Sequence, residues 1–109
     1  MVSELLHRKC KSCESGIAAL NQQETSQFLQ QVPGWVPQGE RIEREFRFKD
    51  FVQAINFVNR VAKVAEDEGH HPDFQIHYNK VTLVLWTHSI GGLSENDFIV
   101  AAKINKLLS

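Results

Sequence analysis

Residues 51–68 constrain the fold more than any other segment, because they form one apolar stripe with a stop at each end. Phe51, Ala54, Ile55, Val58, Val61, Ala62 and Ala65 recur at i, i+3, i+4 and i+7, the period of a helix with one buried face. Asp50 precedes the stripe as an N-cap and Gly69 follows it as a C-terminal stop. A helix apolar on one side must lie against another layer, and the flanking segments supply one. On the N-terminal side, Trp35-Val36-Pro37 and 41–48 read as two strands about a turn at Gln38-Gly39. Ile42, Phe46 and Phe48 share one face of the second strand, and Arg41, Glu43, Glu45 and Arg47 share the other. Arg44 falls on the apolar side of that alternation. On the C-terminal side, Phe74, Ile76 and Tyr78 alternate with Asp73, Gln75, His77 and Asn79. A turn at Asn79-Lys80 then leads into a more apolar strand, 81–86.

That last strand sets Val81, Leu83 and Leu85 against Val84 and Trp86. Apolar residues on both faces predict either two covered faces or self-association. A helix over 22–31 opens the pattern, with Asn21 and Glu24 as capping box and Pro33-Gly34 as terminator. Another closes it, capped by Ser94 with Asp97 at the third helical position. Phe98, Ala101, Ala102, Ile104, Leu107 and Leu108 form its apolar side. Helix, two strands, helix, two strands, helix is the order of an α+β domain with an antiparallel sheet, here over 21–109. Residues 1–20 are polar and aperiodic, and read as an N-terminal tail.

Composition narrows the function classes. A chain of 109 residues with 42% hydrophobic and 23% charged residues fits one globular domain. A net charge of -1, with Arg41, Arg44, Arg47 and Lys49 interleaved with Glu40, Glu43 and Glu45, argues against direct nucleic-acid binding. That cluster reads as a solvated strand face. No apolar stretch approaches the roughly 18 residues of a membrane helix, and Met1–Leu6 does not open a signal peptide. A cytoplasmic location is expected. In the tail His7, Cys10 and Cys13 read H-x-x-C-x-x-C. No second pair follows at zinc-finger spacing, which leaves incidental thiols, opportunistic metal binding or a redox role.

Four of the five histidines lie between 70 and 88. His77 belongs to the polar set of its strand and reads as a surface residue. His70 follows Glu66 by four residues, so the two share a helix face, and a carboxylate beside an imidazole orients it for proton transfer. The bland alternative is an exposed pair at a fraying helix end. His71 is pinned by Pro72 in a short loop, where it either works or fills a gap. His88 ends a strand on the face of Trp86 and Val84, either in a site or bonded to a nearby carbonyl. Spacing for a three-histidine metal site is missing, as are a phosphate-binding loop and a serine nucleophile elbow. These residues point to histidine acid–base chemistry and name no substrate.

Read together, the motifs do more. The chain resembles the pterin-4a-carbinolamine dehydratases, some of which also serve as dimerisation cofactors of homeodomain transcription factors. The likeness runs from about Pro33-Gly34-Trp35 to Ala102. It is carried by Glu66-x-x-x-His70-His71-Pro72, Tyr78-Asn79-Lys80-Val81 and Thr87-His88-x-x-x-Gly92-Leu93-Ser94-x-x-Asp97. Phe74 stands where many relatives carry tryptophan. The resemblance implies a four-stranded antiparallel sheet with helices packed on one face, and a homodimer or homotetramer. It implies dehydration of a 4a-hydroxytetrahydropterin to the quinonoid dihydropterin, which recycles the cofactor of aromatic amino-acid hydroxylases. No metal or cofactor takes part. His70, His71 and His88 are then the catalytic set, with His70 and His88 moving protons. His71, Pro72 and Phe74 hold the pterin, Glu66 orients His70, and Asp97 closes the site or caps its helix. A non-catalytic dimerisation or coactivator-type module of the same fold is the alternative, and a metal-dependent hydrolase the weaker third.

Overall fold

The computed structural model describes residues 4–7 and 19–108. In chain order the elements are α1 (Gln22–Leu29), β1 (Val36–Gln38), β2 (Arg41–Arg47), α2 (Phe51–Glu68), β3 (Asp73–His77), β4 (Lys80–Leu85) and α3 (Glu95–Lys106). Short 3₁₀ turns lie at Glu4–His7 and His88–Ile90. The strands form one antiparallel sheet in the order β1-β2-β4-β3. The expected α+β architecture, with helices on one sheet face, is therefore present.

Two hairpins build the sheet, and α2 connects them. Gly39, at φ 64, turns β1 into β2. The second turn sits one residue earlier than expected, at Tyr78-Asn79, and the positive φ of 55 falls on Tyr78. Asn79 is otherwise engaged. Its side-chain amide donates to the Phe48 carbonyl at 2.9 Å, and its own carbonyl accepts from the Phe48 N–H at 2.9 Å. The hairpin tip is thereby tied to the chain entering α2.

Register explains which side chains are buried. Ile42 pairs with Leu85, Arg44 with Leu83 and Phe46 with Val81, so these six share the inner face. All but Arg44 are buried there. On the outer face Glu43 meets Val84, Glu45 meets Thr82 and Arg47 meets Lys80. β4 is thus less two-sided than its sequence suggests. Only Val84 and the following Trp86 are apolar outward, both are half-buried, and the Arg41 guanidinium lies 4.3 Å over the Trp86 ring.

Arg44 is not part of a solvated face. It turns inward over the Phe46 ring and donates through Nη1 to Asn105 Oδ1 at 2.7 Å and to the Pro33 carbonyl at 3.1 Å. Burial pulls its guanidinium below the ordinary arginine range. The same Asn105 oxygen accepts the Trp35 indole N–H at 2.9 Å. Glycine is favoured at position 34 beside it, since φ is 93 there and a Cβ would come within 2.6 Å of Arg44 Nε.

Asp50 caps α2 by accepting the Gln53 N–H at 2.9 Å, and Gly69 ends it. The buried residues are Ala54, Phe57, Val61 and Ala65. Phe57 has replaced Phe51 and Ala62, which are exposed, so the stripe is rotated from the one expected. The cause is aromatic packing: Phe57 meets the rings of Phe46 and Phe48 at centroid distances of 4.7 and 5.0 Å.

α3 is buried nearly all round, from Asn96 to Ala102 and again at Ile104. It touches α1, α2 and the Glu4–His7 turn. Phe98 stacks on Phe28 at 5.2 Å, and Lys103 bonds Glu68 of α2. Leu5, within the expected tail, is fully buried in the core. Cys10 and Cys13 lie outside the described residues. No helix among the described residues is long and apolar enough to cross a membrane.

Candidate active site

The end of α2 decides where two histidines go. Gly69 adopts the left-handed backbone at φ 65, and its N–H closes on the Ala65 and Glu66 carbonyls. The His70 N–H also reaches the Ala65 carbonyl, at 3.2 Å. A side chain at that φ costs about 1–2 kcal/mol, so glycine is favoured at the point where the chain leaves the helix. His70 and His71 then depart toward different carboxylates.

His70 Nε2 lies 2.6 Å from Asp97 Oδ1, with the two side chains 11% and 0% exposed. His71 Nε2 lies 2.7 Å from Glu66 Oε1, with side chains 56% and 78% exposed. The pairing expected from spacing, Glu66 with His70, does not form. Four-residue spacing puts two side chains together only while the helix continues. Here it stops at Glu68, Gly69 turns the backbone, and His71, two residues on, reaches back to Glu66. Pro72 is buried beneath the loop, and Phe74 faces inward opposite Leu83, partly buried against the core.

Asp97 comes from the first turn of α3, and its two oxygens have separate tasks. Oδ2 accepts the Ser94 N–H at 2.9 Å, which caps the helix. It also accepts the Thr87 hydroxyl at 2.8 Å. Oδ1 faces His70. A buried carboxylate needs such donors to offset its lost hydration, and Asp97 has one on Oδ1 and two on Oδ2. Thr87 is 2% exposed and is held past the end of β4 by a bridge to Gly92, its N–H donating to the Gly92 carbonyl at 2.8 Å. Its hydroxyl oxygen also lies 2.8 Å from Ser94 Oγ. The Ser94-x-x-Asp97 capping signal was visible in the sequence. That the cap is buried and shared with Thr87 and His70 was not, because it depends on β4, α2 and α3 meeting.

His88 joins neither carboxylate pair. It sits exposed in the 3₁₀ turn, not in the strand, and its ring lies 4.0 Å from Trp86 at 44°. Trp86 donates through its indole N–H to Asp73 Oδ2 at 3.4 Å. With Arg41 on the same ring this makes a polar-rimmed aromatic surface beside Thr87. His77 is exposed on the outer face. Among the described residues no three or more His, Cys, Asp or Glu side chains converge as metal ligands. Two cavities lie away from the histidines. One, of about 390 Å³, is bounded by Leu20, Thr25, Gly39 and Gly92. The other, of about 300 Å³, is bounded by Gly34, Arg44 and Asn105.

An imidazole held by a buried carboxylate is suited to proton transfer, since one ring nitrogen is fixed and the other is left for a reactant. Comparison with known proteins gives the chain a lineage. Residues 18–107 match the family described as Pterin 4 alpha carbinolamine dehydratase. The chain belongs to that family. A protein of Nitrosospira multiformis called a putative pterin-4-alpha-carbinolamine dehydratase is 46% identical over 106 residues, covering 97% of this chain and 94% of the relative. One of the same description from Nitrosomonas eutropha is 47% identical over 108 residues, covering 98% and 96%. A crystal structure titled transcriptional coactivator/pterin dehydratase, from Brucella Melitensis, superposes with a TM-score of 0.80 at 36% identity, covering 84% of this chain and 99% of that one.

Proposed function

We propose that the chain is a hydro-lyase that dehydrates a 4a-hydroxytetrahydropterin to the quinonoid dihydropterin, as in tetrahydrobiopterin recycling, by histidine acid–base catalysis. The observation that carries this is His70, fixed through Nε2 by the buried Asp97 within a chain of the dehydratase family. In the reaction N5 gives up its proton, and that bonding pair becomes the N5=C4a double bond. The C4a–O bond breaks as the hydroxyl gains a proton and leaves as water. Two proton transfers near neutral pH suit imidazole. His70 takes one, and His88, exposed beside Trp86, supplies the other. His71, backed by Glu66, positions the pterin together with the loop at Pro72 and the edge of Phe74. No metal or cofactor is required.

Stopped-flow absorbance on freshly generated 4a-hydroxytetrahydropterin tests this. The protein should accelerate dehydration, and His70→Ala or His88→Ala should slow it by roughly 10²–10⁴-fold. If both variants turn over like the parent protein, the mechanism is wrong. That the Brucella protein is called a transcriptional coactivator as well as a pterin dehydratase favours the binding-module reading. That reading expects no acceleration at all.

A further inference from the structure

We propose that Thr87 is a positioning residue for this reaction: its hydroxyl occupies one oxygen of Asp97, so that the other locks His70 in the Nε2–H form and leaves Nδ1 as the atom that takes the substrate proton. This deepens the dehydratase reading and rests on it for its catalytic part.

Proton accounting carries the inference. A hydroxyl has one proton to donate. Thr87 gives its proton to Asp97 Oδ2 at 2.8 Å, so at its other contact, 2.8 Å from Ser94 Oγ, it must accept. Donation therefore runs from Ser94 to Thr87 to Asp97. Oδ2 accepts from the Ser94 backbone as well, at 2.9 Å. With Oδ2 doubly engaged, Oδ1 is left for His70 Nε2 at 2.6 Å. An ionised carboxylate only accepts, so Nε2 carries the hydrogen. A neutral imidazole then has its lone pair on Nδ1.

Nδ1 is placed to use that lone pair. Among the described residues it has no hydrogen-bond partner, and no buried side-chain nitrogen or oxygen there is left without one. Nδ1 therefore lies on the part of His70 that reaches solvent, where the side chain is 11% exposed. The ring points one nitrogen into the protein and the other out. His70 is consequently the base for the N5 proton, and the proton on the departing hydroxyl comes from another group.

Thr87→Val keeps the shape and removes the hydroxyl, while Thr87→Ser keeps the donor. Nitrogen-15 imidazole spectra of ligand-free, histidine-labelled protein report the tautomer, with the His70 signal assigned by its loss in His70→Ala. The parent protein should show His70 as the Nε2–H form. Thr87→Val leaves Oδ2 one donor short, so the carboxylate can rotate off Nε2 and loosen its hold on the tautomer; the His70 signal should shift toward a mixture and turnover should slow roughly ten- to a hundredfold. Thr87→Ser should restore both. A parent spectrum dominated by Nδ1–H overturns the proposal without any variant. So does Thr87→Val with the parent tautomer and turnover within twofold. Because the tautomer is read without substrate, a parent protein that fails to dehydrate pterin sinks the activity and still leaves the Asp97–His70 orientation decided by the spectrum.

Discussion

At the scale of single residues, two adjacent histidines with carboxylate partners stand in opposite environments. Losing His70 strips a donor from a carboxylate that is 0% exposed, and an unsatisfied buried acceptor costs about 1–3 kcal/mol. Losing His71 frees a pair already in water, where such contacts are worth about 0–1 kcal/mol. His70→Ala is therefore expected to melt several degrees lower as well as react slowly. His71→Ala and Glu66→Gln should melt like the parent protein and raise KM more than they lower kcat. Thermal unfolding and steady-state kinetics on the same samples check both halves, and a thermally silent His70→Ala would contradict the buried pair. Sequence alone pairs Glu66 with His70. It showed which groups could meet along a helix, and could not show that Gly69 would end that helix one residue before His70.

The elements were largely readable because their signals are local. The Asp50 and Asn21 caps, the Gly69 stop and the two hairpins are properties of a few neighbouring residues, and all are present. What depends on distant partners was not readable. Arg44 looked like a flaw in a strand pattern, yet its acceptors come from α3 and the Pro33 loop. α3 showed an apolar side but not that Asn96 and Asp97 would be buried with it. Asn105 concentrates that dependence, since one oxygen accepts from both Trp35 and Arg44. Asn105→Ala should thus lower stability by about 2 kcal/mol through two orphaned donors, with turnover per folded molecule unchanged. Denaturant titration alongside the pterin assay would detect it, and a midpoint equal to the parent's would remove Asn105 from the framework.

For the whole molecule, the case for self-association moves from β4 to β3. The outer face of β4 is mostly polar, whereas β3 is an edge strand whose side chains Ile76, and Tyr78 in the turn beyond it, are 39% and 66% exposed. Phe51 and Val52, 48% and 66% exposed, follow Phe48, which is bonded to the same hairpin tip. An unpaired edge beside exposed apolar side chains invites a second copy. Light scattering at micromolar concentration should give a dimer or tetramer, and Ile76→Lys should shift it toward monomer. A parent protein that scatters as a monomer of 12.5 kDa would end the proposal.

Leu5 bears on where such a protein can be cut. The family match begins at residue 18, so a fragment trimmed to it would keep His70, His71 and His88 and discard a side chain that is fully buried. Emptying a leucine site costs about 2–5 kcal/mol, a large share of what a domain this small has to spare. The family match and the packing place the edge of the domain at different residues, and an expression fragment designed from that match would begin with a hole in its core.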